Sequence, residues 1–209
     1  MGSREWGVGG QELNEETGQN RRGRLIVISG PSGVGKSSIT REVLRRTAAE
    51  FSVSATTRPP RKGEVDGRDY RFVHSQAFQR MIDRGELLEW AEVFGDRYGT
   101  PESPVREALA AGRTVLLEID VQGALQVHRK MPEATFILIT PPCDEELTRR
   151  LYGRGSEDAE AAARRRRKAD EEIAAATRSG VYNHCVVNDD LEAAIARVVK
   201  IVNQECPNQ

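Results

Sequence analysis

Apolar residues along this chain follow two rhythms. Short unbroken runs (Leu25-Ile26-Val27-Ile28, Val115-Leu116-Leu117 and Phe136-Ile137-Leu138-Ile139) have the character of strands buried on both faces. Between them, apolar positions recur every three or four residues, as in Ile39, Val43 and Leu44. That is the period of an amphipathic helix.

The pattern predicts a strand over 24–29, then a helix to about Ala49. Ser52–Thr57 reads as a strand, broken by Arg58-Pro59-Pro60-Arg61. A charged turn, a short strand near 70–73, a helix over 75–84 and a strand over 87–93 follow, and Gly95–Thr100 reads as a loop. Residues 54–100 are less regular than their flanks and read as an insertion. A helix at about 102–111, ended by Gly112, precedes a strand over 114–120 with acids at its end. A helix over 121–131, a strand over 134–140 and a helix over 144–152 come next. Gly153-Arg154-Gly155 reads as a hinge before a charged helix over 157–178. After a strand over 185–187, Asn188-Asp189-Asp190 caps a last helix with Leu191, Ile195, Val198, Val199 and Val202 on its apolar side. Alternating strands and helices predict a doubly wound α/β sheet of parallel strands, with ligands at the strands' carboxyl ends.

Composition narrows the function classes. Thirty per cent of residues are charged but the net charge is −1, so no nucleic-acid or membrane partner is expected. The N-terminus lacks the apolar core of a signal peptide. Residues 1–22 lack an apolar period and read as a disordered leader or a cloning remnant. The three cysteines form no C-x-x-C pair, which fits reduced thiols and a cytoplasmic location. Three isolated histidines make a metal cluster unexpected.

The chemistry centres on Gly30-Pro31-Ser32-Gly33-Val34-Gly35-Lys36-Ser37, between a strand and a helix. This is the G-x-x-x-x-G-K-[ST] phosphate loop in its required context. Glycines let backbone N–H groups turn inward, and the helix start adds partial positive charge. Lys36 places a cation on the β/γ-phosphates, and the Ser37 hydroxyl can ligate Mg²⁺. Glu118 and Asp120, two apart on a strand, share a face, where acids opposite such a loop handle Mg²⁺ or the acceptor. Arg58 and Arg61 flank a stiff proline pair, and Arg154 sits between glycines. Arg164 to Arg167 form a run whose members point about 100° apart, so one or two can reach a shared phosphate. Ser54, Glu89, Thr100 and Asp120 form a possible base-reading set, which residue types alone do not single out: a carboxylate would accept N1–H and N2–H₂ of guanine, and a hydroxyl would donate to its O6. By itself, Glu89 next to Trp90 reads as a strand residue beside a core aromatic.

Several blocks together resemble one family. They are Ile28–Ser37, Ser52–Arg58, Gly63–Tyr70, Leu88-Glu89-Trp90-Ala91, Tyr98-Gly99-Thr100, Leu117–Ala124, Gly153-Arg154-Gly155 and Val187-Asn188-Asp189-Asp190. Their order and spacing, collinear from about Arg24 to Val202, closely resemble the bacterial-type guanylate kinases. The resemblance implies the P-loop nucleoside monophosphate kinase fold, with a parallel five-stranded core sheet flanked by helices. The kinase domain would span 23–207: a core (23–53, 103–143, 181–207), a GMP-binding insertion (54–102) and a lid (144–180). The reaction would be ATP + GMP giving ADP + GDP, with Mg²⁺, in a cytoplasmic monomer or homodimer.

The family's roles then fall on residues of this chain. Gly30, Ser32, Gly33, Val34, Gly35, Lys36, Ser37 and Ser38 would hold ATP phosphates, with Ser37 toward the metal and Asn188 bordering the adenine pocket. Ser54, Glu89 and Asp120, with Thr100, would read guanine. Arg58, Arg61, Tyr70 and Tyr98 would clamp the GMP phosphate. Lys36, Arg58, Arg154 and Arg165 would be catalytic, the last two closing from the lid. The family commonly carries an aliphatic residue within the stretch written here Arg165-Arg166-Arg167-Lys168, and Arg165 is the choice among these. Two other readings compete: a catalytically inactive binding module, against which Lys36-Ser37 argues, and a P-loop kinase with another acceptor, against which Ser54 and Glu89 argue.

Overall fold

The computed structural model describes residues 23–93, 95–152 and 159–204. Its larger sheet has five parallel strands: β1 (Arg24–Ser29), β2 (Glu50–Phe51), β7 (Thr114–Glu118), β8 (Thr135–Thr140) and β9 (His184–Val187), in the order β2-β7-β1-β8-β9. Alternation along β1 explains the layers. Ile26 and Ile28 face α1 (Lys36–Arg46) and α7 (Leu191–Asn203), burying against Ile39, Val43, Ile195 and Val198. Leu25 and Val27 face the other way, toward α3 (Glu102–Ala110) and α4 (Val121–Lys130), where Val105, Ala108, Ala124 and Val127 close the core. A strand with helices on both faces needs apolar residues along its length, and β1 has them from Leu25 to Ile28. The expected parallel sheet is therefore present.

A second sheet is mixed and has four strands, β4-β3-β6-β5. It joins β3 (Ala55–Thr56), β4 (Arg71–Phe72), β5 (Leu87–Val93) and β6 (Asp96–Pro101), with α2 (Ser75–Asp83) packed through Phe78 on Ala55 and Leu87. Two expectations change here. Of Ser52–Thr57 only Ala55-Thr56 is strand, as β3 of the small sheet; β2, just before this stretch, belongs to the large one. Between them the backbone switches partners, Ser52 N–H donating to Leu116 and the Ser54 carbonyl accepting from Arg71. The expected loop at 95–100 is instead mostly β6, because it pairs with β3 and β5 at once. Ladders on both sides outweigh the turn preference of Gly and Asp.

The remaining helices are α5 (Asp144–Tyr152) and α6 (Ala159–Ser179), joined through Leu147, Leu151 and Ala169. The Gly153–Gly155 hinge and the 1–22 leader lie outside the described residues. α1 stops at Arg46, short of Ala49. Asp190 caps α7, accepting from Ala193 N–H at 2.8 Å, while Leu191 in its first turn is exposed. Ile137 is fully buried in β8. Ile137→Ala should lower unfolding free energy by about 2–5 kcal/mol. Leu191→Ala should change it by no more than about 0.5 kcal/mol. Urea denaturation of the two variants beside the parent chain checks both values.

Candidate active site

The phosphate loop runs from β1 into α1, at the carboxyl edge of the large sheet. Val34 is its anchor, fully buried among the β1 and α7 side chains. Asn188, itself buried, donates from Nδ2 to the Val34 carbonyl at 2.8 Å. Arg150 Nη2 in turn donates to the Asn188 carbonyl at 3.0 Å. Gly35 has φ of +100°, and a Cβ there would lie 2.5 Å from Asn188 Nδ2. No side chain fits between that backbone and its brace. Lys36 Nζ donates to the Gly30 and Pro31 carbonyls at 2.6 and 2.9 Å. Burial lowers the Lys36 pKa, and Glu118, Glu172 and Asp120 pull it back up. Ser37 Oγ donates to Glu118 Oε1 at 2.5 Å. Ser32, Ser37 and Ser38 are exposed at the mouth.

Across from this loop, β5 delivers a carboxylate. The register of β5 against β6 shifts between Leu87 and Glu89. That irregularity lets Leu87, Leu88 and Glu89 all be buried, where strict alternation would expose one of them. Leu87 packs on α2, Leu88 on the α4 side of the core, and Glu89 enters a cavity. Trp90, read from sequence as a core aromatic, is 39% exposed. Thr100 Oγ1 donates to Glu89 Oε1 at 2.6 Å. Gly123 of α4 makes room, since a Cβ there would lie 2.7 Å from Glu89 Oε2. Asp120 is not a strand residue but the N-cap of α4, Oδ1 accepting from Gly123 N–H at 2.7 Å. The cavity, about 300 Å³, is lined by Glu89, Ser54, Asp120, Tyr70, Tyr98 and, at the phosphate loop, Lys36 and Glu118.

The arginines divide. Arg58, nearly buried, pairs bidentately with Glu64 at 2.9 Å and lies over the Tyr70 and Phe72 rings. Tyr70 and Tyr98 meet edge to face, 5.9 Å apart. Arg61 is exposed and lines a second opening, about 790 Å³, with Ser37, Ser54, Tyr70 and Glu118. Ser54, Tyr70 and Glu118 therefore border both spaces.

Comparison with known proteins agrees with this geometry. The guanylate kinase family model matches residues 22–205. The guanylate kinase of Gloeobacter violaceus is 52% identical over 187 residues, covering 89% of this chain and 90% of that one. That of Nocardia farcinica is 52% identical, covering 87% and 94%. The crystal structure of guanylate kinase from Anaplasma phagocytophilum superposes with a TM-score of 0.70 at 36% identity, covering 87% and 85%. The chain belongs to the guanylate kinase family.

Within this guanylate kinase, the residues expected to act are gathered unevenly. Ser54, Tyr70, Glu89, Tyr98 and Asp120 share one cavity with Lys36, and Thr100 holds Glu89 from behind. Asn188 is committed to the loop backbone. Arg154 lies outside the described residues, as does the Arg165 side chain, whose backbone is in α6. Arg166 braces α6 on α5, donating to the Asp144 carbonyl at 2.8 Å and pairing with Asp170. The sequence reading missed Glu64, Gly123, Arg150 and Glu172. The first lies three residues after Arg61, a spacing that could have suggested it. The others act only through contacts distant in sequence.

Burial pushes the Glu89 pKa up to about 7, against the Thr100 hydrogen bond and with help from Asp120. In an unfolded chain the group would ionise near 4.5. Between these values the unfolded chain gives up its proton first, so Glu89 removes stability as pH rises from about 4.5 to 7. Glu89→Gln cannot titrate. Its stability relative to the parent should grow between pH 5 and pH 8, by up to about 3 kcal/mol. Paired denaturation curves at the two pH values measure this; a constant gap would contradict it.

Proposed function

We propose that this chain transfers the γ-phosphoryl group of ATP to GMP, giving ADP and GDP. The carrying observation is that one cavity holds both the phosphate-loop lysine and a buried carboxylate. One site faces phosphate, and the opposite wall can read a base.

Glu89 would accept N1–H and N2–H₂ of guanine, with Ser54, Asp120 and Thr100 completing the set. Those donors favour the ionised carboxylate, reversing the effect of burial. Adenine offers no donor at N1, so AMP would leave the buried Glu89 carboxylate with no partner from the base. Arg58, Arg61, Tyr70 and Tyr98 would hold the acceptor phosphate. Lys36 and the loop amides from Gly33 to Ser37 would hold the donor phosphates. The acceptor oxygen then attacks the γ-phosphorus in line, and the ADP oxygen leaves. Positioning and charge do most of the work. Arg154 and Arg165 would complete the cationic ring from the lid, excluding water that would otherwise take the phosphoryl group.

Ser37 and Glu118 supply only oxygen atoms at the loop mouth, a donor set that suits Mg²⁺. Among the described residues no group of three or more His, Cys, Asp or Glu could hold a metal ion. When bound, Mg²⁺ would neutralise charge on the donor phosphates. No described helix is long and apolar enough to cross a membrane.

An ADP-release assay with ATP and each of GMP, AMP, UMP, CMP and dTMP tests the reading, with GMP expected to dominate. Comparable turnover of AMP would overturn it. Lys36→Met should lower kcat about 100-fold or more while the fold survives. Parent-like turnover would remove Lys36 from the mechanism. Glu89→Gln should raise KM for GMP about tenfold or more and leave KM for ATP within twofold. Equal changes in both would show that Glu89 does not read the base.

A further inference from the structure

The expected phosphate clamp contains a carboxylate that no role in the reaction uses. Glu64 faces Arg58, yet an acid beside an anion site should weaken that site. The donors on Arg58 resolve the difficulty. A guanidinium carries five N–H groups in one plane. Nη1 spends both of its own, on the Pro59 carbonyl at 2.7 Å and on Glu64 Oε2 at 2.9 Å. Nη2 spends one on Glu64 Oε1 at 2.9 Å. The remaining two, Nε–H and the second Nη2–H, lie together on the other edge. Glu64 therefore takes the end of the fork, so a further bidentate partner would have to use the Nε/Nη2 edge. Glu64 lines the second opening with Arg61 and Tyr70, whose ring lies against the guanidinium.

The same carboxylate fixes the loop around it. Oε2 also accepts from the Arg61 backbone N–H at 2.7 Å. Both ends of Arg58-Pro59-Pro60-Arg61 are thus tied to one side chain. The Tyr70 and Phe72 rings, 5.4 and 5.8 Å from the guanidinium carbon, hold the plane from its face. Contact with Arg58 keeps the Glu64 pKa below the usual carboxylate range, so the pair stays charged at neutral pH.

We propose that Glu64 is a positioning residue: it locks the Arg58 guanidinium so that its Nε/Nη2 edge receives the phosphate monoester of the acceptor nucleotide. This rests on the acceptor reading given above. An arginine held in place spends less conformational entropy on binding, and a bidentate edge matches two phosphate oxygens.

Calorimetric titration of the full chain with GMP and with guanosine tests the proposal. Guanosine carries the same base without the phosphate. Glu64→Gln should weaken GMP about tenfold and leave guanosine within twofold. KM for ATP should stay within twofold. Glu64→Asp, which keeps the charge on a shorter arm, should fall between the parent and Glu64→Gln. If Glu64→Gln does not fold, Glu64→Asp carries the test through the same GMP-selective loss. Unchanged GMP affinity overturns the proposal. So does an equal loss for GMP and guanosine, which makes Glu64 a scaffold residue. Tighter GMP binding also overturns it, making Glu64 a competitor of the phosphate. A parent chain that binds no GMP sinks the acceptor reading itself, and is thereby distinguished from the other failures.

Discussion

Charge taken out of water is the constraint on which this structure depends. Lys36 is partly buried at the start of α1 and carries its ammonium into a space bordered by Glu118, Asp120 and Glu172. Desolvation penalises the charged forms of Lys36 and Glu172, and attraction between opposite charges offsets only part of that penalty. The balance is incomplete: Glu172 is 5% exposed, and its Oε2 has no hydrogen-bond partner among the described residues. Lys36 meanwhile turns back on two carbonyls of its own loop. A phosphate chain would take those donors, and the carboxylates set where its charge can sit.

The fold supplies rigid walls for that balance. Val34, Asn188 and Arg150 tie the phosphate loop to the core and to α5, so its amides keep their direction. On the opposite wall, the β5 irregularity and the missing Cβ of Gly123 admit Glu89 between a sheet and a helix. Its single side-chain partner, Thr100, neutralises little of the burial penalty. A group held so far from its usual ionisation is poised for a ligand with hydrogen-bond donors. The Arg58–Glu64 pair shows the converse arrangement, a charge already matched and so fixed in direction.

Much of this was legible in the chain. The unbroken apolar runs placed three of the five strands of the large sheet, and the glycine–lysine–serine spacing placed the phosphate loop, because each is a local pattern with a local physical cause. Asp120 was found as an acid at a strand end, but its role as a helix cap was not, since one residue separates the two states. Strand β6 was missed because Gly95, Asp96 and Gly99 carry turn chemistry; Gly95 does stay in the turn, and only pairing with neighbouring strands makes Asp96 and Gly99 extended.

By itself the sequence determined the period of each helix, the buried strands, the phosphate cradle and the family. These depend on neighbours a few residues away. Tertiary structure alone decided that Glu64 takes the end of the Arg58 fork, that Glu89 points inward while Trp90 points out, and that Gly123 must lack a side chain. Those facts arise where segments distant in sequence compete for the same few ångströms, and no local pattern encodes that competition.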